Sequence, residues 1–172
     1  EWSSTGDHIA EADFALMASW KANVVRIALN QDFWLSASPR FDSSYAATVD
    51  QAVKWAENAG LDVILDLHWS APGTNWPGAD PLKPDSGGSA MANLDHSPAF
   101  WTSVATRFKD NPAVIFDLFN EPYLDYVTIH GPAGATPWSC WRDGCLIEEE
   151  LSWGCSGIQT SLGCNGLATA PI

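Results

Sequence analysis

Positive charge is scarce in this sequence: 8 Lys and Arg stand against 21 Asp and Glu, a formal net charge of −13. Nucleic acids and anionic membranes are bound through clustered cations, so the balance argues against both and suits a neutral ligand. Long hydrophobic runs are missing too. Nothing approaches the roughly 18 consecutive apolar residues of a membrane helix, and a soluble globular chain is expected. No GxGxxG and no GxxxxGK[ST] follows an apolar run, which disfavours a nucleotide fold. None of the four cysteines forms a CxxC pair and His130 is the only histidine near them, so no metal site and no cofactor is expected.

What is abundant is tryptophan, ten residues in 172. Indoles offer flat amphipathic surfaces that stack on sugar rings or other aromatics, although core packing is the plainer expectation for most of them. Cys140 and Cys145 bracket "CWRDGC", a polar turn containing glycine, in which a disulfide can pin the loop. That pairing is favoured over metal or free thiols and implies an oxidising compartment, hence a secreted, extracellular protein. Cys155 and Cys164 receive no assignment. Glu1 opens in polar sequence without the basic and apolar regions of a leader.

A unit of helix then strand recurs along the chain. Ile9, Ala12, Leu16 and Trp20 mark one face of a first helix, followed by the strand "NVVRIAL" over residues 23–29. Asp42 or Ser43 caps a second helix with apolar face Val49, Ala52, Val53 and Ala56, closed by Gly60. The strand "LDVILDLHWS" comes next; Ser97-Pro98 then opens a third helix running through Phe108. The third strand lies in "NPAVIFDLFNEPY", where Val114-Ile115-Phe116 reads as buried on both faces. Strands separated by helices, with no hairpin signal, predict a parallel sheet with right-handed crossovers, either doubly wound or a (β/α)8 barrel. Polar residues fall at or near the strand ends: Arg26, His68 with Trp69, and Asn120 with Glu121. In a barrel those ends converge on one mouth.

"NVVRIALNQDFWL", "GLDVILDLHWS" and "NPAVIFDLFNEPY" resemble strands two, three and four of glycoside hydrolase family 5, the retaining cellulase and mannanase family. The resemblance implies an α/β chain, a single domain over residues 1–172 comprising part of a TIM barrel with about strands two to four. It implies Glu121 as general acid/base, with Asn120, His68 and Arg26 binding substrate. It also implies β-glucan or β-mannan as the partner and an endo-β-1,4-glucanase-like reaction. "WSCWRDGC" is similar to the loop after strand four in some bacterial members. The family's nucleophile is a glutamate on strand seven, and no counterpart is identifiable; the run Glu148-Glu149-Glu150 reads as a solvated face.

The chemistry of the residues agrees with that resemblance. Alternation puts Asp66 on the side of His68 and Asp117 on the side of Glu121, where Arg26 can pair with both. Such a group is either a structural ion network or a setting in which Arg26 acts on substrate. Trp34 and Trp69, just past strand ends, are candidates for stacking on a pyranose ring. The alternative function is a non-catalytic carbohydrate-binding fragment of the same barrel. An open sheet of three strands also leaves edges and a face uncovered, so self-association is a further expectation.

Overall fold

The computed structural model describes residues 3–38, 40–69, 92, 96–122, 128–130, 133–148 and 168–169, with the backbone alone for Trp69 and several residues of the C-terminal strands. In chain order the elements are α1 (Glu11–Ser19), β1 (Val24–Asn30), α2 (Gln31–Trp34), α3 (Tyr45–Asn58), β2 (Asp62–Trp69), α4 (Ser97–Phe108) and β3 (Val114–Asp117). After them come β4 (Thr128–His130), α5 (Pro137–Asp143), β5 (Cys145–Glu148) and β6 (Ala168–Thr169).

The strands β1, β2 and β3 form a parallel sheet in sequential order. Its register aligns Arg26 with Ile64 and Ile115, and Ala28 with Asp66 and Asp117. On β2 the odd residues Val63, Leu65 and Leu67 are sealed against Phe14 of α1, Val49 and Val53 of α3, and Phe100 and Val104 of α4. The opposite face has no such cover among the described residues: Val24 and Arg26 are exposed, and Ile115 is 53% exposed. The run Val114-Ile115-Phe116, expected to be buried on both faces, is therefore covered on one, because Val114 and Phe116 pack on the helices while Ile115 points away from them.

Helix α3 forms as its periodicity predicts. Val49, Ala52, Val53 and Ala56 recur at the i, i+3, i+4, i+7 spacing that makes one stripe, and all four are buried. Gly60 stops the helix at φ +77°, a left-handed conformation in which a Cβ is costly, and the Leu61 amide donates to the Ala56 carbonyl at 3.0 Å. Its first turn begins one or two residues later than expected, with Ser44 at the cap position; Asp42 instead accepts from the Ser44 amide at 2.8 Å and shapes the approach. Helix α4 starts at Ser97 with His96 before it, which moves Pro98 to the second helical position.

Three differences from the sequence reading stand out. Helix α1 turns Phe14, Met17 and Ala18 to the core, leaving Ile9, Leu16 and Trp20 exposed. Two apolar stripes compete on this short helix, and the aromatic ring of Phe14, tilted against Trp55 with centroids 6.2 Å apart, wins the buried side. The segment after β1, read as loop, contains α2, nucleated by the Asn30 side chain accepting from the Asp32 amide at 2.9 Å. Strands β4, β5 and β6 form a separate antiparallel sheet that was not anticipated. The disulfide between Cys140 and Cys145 is present, with Cα atoms 5.1 Å apart, and joins the last turn of α5 to the start of β5. Cys155 and Cys164 lie outside the described residues.

Candidate active site

The uncovered sheet face carries the polar cluster. Arg26 lies in the middle of β1, not at its end, because the strand continues to Asn30. Its long side chain spans the difference. Nη2 donates to Asp117 Oδ2 at 3.0 Å and to Asn120 Oδ1 at 2.8 Å, and sits 3.0 Å from Asp66 Oδ2. Across the cluster, His68 Nδ1 lies 2.6 Å from Asp66 Oδ2, and Asn120 Nδ2 lies 3.4 Å from His68 Nε2. Asn120 reaches this position because its amide donates to the Leu67 carbonyl at 3.0 Å, which carries the pairing of β3 with β2 past the last strand residue.

Donor and acceptor inventories fix the polarity of this ring. A guanidinium only donates, so the oxygen of the Asn120 carboxamide faces Arg26 and its nitrogen faces His68. That nitrogen also only donates, so His68 Nε2 accepts and Nδ1 carries the proton it shares with Asp66. Asp66 is 0% exposed, and its second oxygen, Oδ1, has no hydrogen-bond partner among the described residues. Burial lifts its carboxyl above the ordinary value, opposed by the hydrogen bond from His68 and the charge of Arg26.

Glu121 follows Asn120 directly and is solvent exposed. Its φ of +46° places a non-glycine residue in the left-handed region, immediately before Pro122. The following proline favours extended backbone at this position and so adds to the strain, while Asn120, anchored to the Leu67 carbonyl and to Arg26, holds the chain on the other side.

The structure thus brings together Arg26, His68 and Asn120 of the expected site, with Glu121 adjoining them in the chain. Trp34 is not with them. It is 8% exposed, packed edge-on against Tyr45 and Phe100, and donates its indole N–H to Ser103 Oγ at 3.0 Å. Because α2 turns the chain back over the helix layer, no face of this indole is left for a sugar, and its expected stacking role does not fit the placement. Trp69 ends β2, and its side chain lies outside the described residues. Tryptophans elsewhere divide: Trp101 is core, Trp55 half-buried, and Trp20, Trp138 and Trp141 exposed. Strand alternation pairs Arg26 with both aspartates but does not show its bond to Asn120, whose signal lies in the length of Arg26 and in Asn120 extending β3.

A doubly wound sheet covers both faces with helices, whereas sequential parallel strands covered on one face close into a barrel. The sheet here, with its polar open face, is part of a (β/α)8 barrel. The family Cellulase (glycosyl hydrolase family 5) matches residues 1–144. Endoglucanase CelA of Streptomyces lividans is 30% identical over 108 residues, 62% of this chain and 19% of its own. Glucan 1,3-beta-glucosidase 1 of Schizosaccharomyces pombe is 40% identical over 68 residues, 37% of this chain and 16% of its own. The crystal structure of an endo-beta-1,4-glucanase of Xanthomonas axonopodis pv. citri superposes with a TM-score of 0.52 at 27% identity, covering 70% of this chain and 35% of that one. The chain belongs to glycosyl hydrolase family 5, and it spans about a fifth or less of the length of these curated relatives.

Proposed function

We propose that this chain supplies the acid/base side of a retaining glycoside hydrolase, endo-β-1,4-glucanase-like, acting on β-linked glucan or mannan. The observation that carries the reading is the Asn120-Glu121 pair at the end of β3, with Asn120 built into the ring of Arg26, Asp66 and His68. Retaining hydrolysis uses one carboxyl to protonate the leaving oxygen and a second, about 5 to 5.5 Å away, to attack the anomeric carbon. Glu121 suits the first role, because its carboxyl is open to solvent at the strand ends and can return as base to activate water. Asn120 retains a second Nδ2 hydrogen for a sugar hydroxyl, and Trp69 is the remaining candidate for stacking. No nucleophile is assigned to this chain, and turnover requires one alongside these residues.

The names of the relatives, an endoglucanase and a glucan 1,3-beta-glucosidase, favour glucan over mannan. Secretion is part of the same proposal and rests on the Cys140–Cys145 disulfide. So is self-association over the exposed Val24 and Ile115, which sedimentation velocity checks.

The test is Glu121→Gln. Turnover of soluble β-glucan should fall by orders of magnitude, roughly the loss of a group that works as a unit with another, while affinity for cello-oligosaccharides changes little. Undiminished turnover overturns the acid/base role. Binding without turnover in the unaltered protein gives the carbohydrate-binding reading instead.

A further inference from the structure

Asp66 is the fully buried member of the cluster. It is sealed from solvent and therefore cannot touch a polysaccharide, yet its Oδ2 is approached from two sides, by His68 Nδ1 at 2.6 Å and by Arg26 Nη2 at 3.0 Å. Those two residues are the same ones that hold the two ends of the Asn120 carboxamide, Arg26 at its oxygen and His68 at its nitrogen. A free imidazole has no fixed tautomer; a carboxylate oxygen at Nδ1 fixes the proton there and leaves Nε2 as an acceptor.

We propose that Asp66 is a positioning residue: through His68 and Arg26 it sets which way the Asn120 carboxamide faces, and so where that side chain offers a hydrogen to substrate. The functional half of this statement rests on the proposed glucan site. If His68 carried its proton on Nε2, two donors would meet at the Asn120 nitrogen and the carboxamide would turn over, presenting its nitrogen to a guanidinium that only donates. The ring therefore has one self-consistent polarity, and Asp66 selects it. A merely structural ion pair between Arg26 and Asp66 would be indifferent to the tautomer of His68.

The experiment uses long-range 1H–15N spectra of the whole chain at neutral pH, which report the tautomer of each neutral histidine directly. The unaltered protein should show His68 protonated on Nδ1. Asp66→Asn, which keeps size and shape, should shift His68 toward the Nε2–H form, move the Asn120 side-chain amide signals, and weaken cellopentaose binding by about tenfold or more. An Nε2–H tautomer in the unaltered protein overturns the proposal whether or not the variant folds. So does a variant whose tautomer shifts with binding intact. If the unaltered protein binds no cellopentaose, the glucan reading fails, and the His68 tautomer still decides whether Asp66 sets the ring.

Discussion

The indole nitrogen of Trp101 donates to the carbonyl oxygen of Leu118 at 3.0 Å. Helix α4 thereby grips the chain just beyond β3 and two residues before Asn120, so the core layer and the polar face are joined by one bond. The ring of Trp101 is itself fixed edge-on between Phe100 and Phe116. Trp101→Phe keeps most of that packing and leaves the carbonyl without its donor, at a cost of about 1–3 kcal/mol. Thermal unfolding should register the loss, and the Asn120 side-chain amide signals should broaden or shift with it. An unchanged Tm would mean that water replaces the indole freely.

Trp34 separates packing from recognition. Its burial among Tyr45, Phe100 and Ser103 predicts that Trp34→Ala destabilises the chain by about 3–5 kcal/mol, the range for a large aromatic removed from a core. Trp34→Phe should be milder and, once folded, bind cello-oligosaccharides as well as the parent in calorimetry. Weakened affinity in a well-folded Trp34→Phe would return this indole to the substrate surface.

Much of this was legible in the sequence, and the boundary has physical causes. The stripe of α3, its glycine stop and the three parallel strands were readable because each rests on local periodicity or a single φ requirement. The pairing of Arg26 with Asp66 and Asp117 followed from strand alternation. The placement of Trp34 was not legible, because its position after a strand says nothing about α2, a single turn held by the Asn30 side chain. The exposure of Ile115 was not legible, because a run of apolar residues such as Val114-Ile115-Phe116 looks the same whether one face or two are covered. Which side of α1 is buried depended on Trp55, far away in the chain.

Glu121 carries backbone strain that can be separated from its chemistry. At φ +46° any residue with a Cβ is disfavoured, whereas glycine is not. Glu121→Gly should therefore be more stable than Glu121→Ala by about 1 kcal/mol, although both lack the carboxylate. Denaturant titration of the two variants measures the difference; equal stability would mean that the backbone relaxes when the glutamate is removed.

Asp66 also gives stability a defined pH dependence. Burial, outweighing His68 and Arg26, holds its folded carboxyl above the ordinary value of 3.8, so between that pH and the folded value the native state keeps a proton that the unfolded chain has lost. The group's contribution is greatest below 3.8 and declines as pH rises through the folded value. Across thermal melts in the acid range, the stability of the parent relative to Asp66→Asn should fall with rising pH. A relative stability that climbs instead would show that the carboxylate is held by its partners more strongly than burial opposes it.

The central claim is that Glu121 is the acid/base of a retaining hydrolase, and azide trapping with Glu121→Ala tests it most directly. In a protein that also carries the nucleophile, an activated aryl β-cellobioside needs no acid to leave, so the first step should proceed, while the second, deprived of its base, should wait for a nucleophile that needs none. Added azide should then restore turnover and yield the β-configured glycosyl azide, detectable by NMR. Free sugar released by Glu121→Ala at the parent's rate without azide would contradict the assignment.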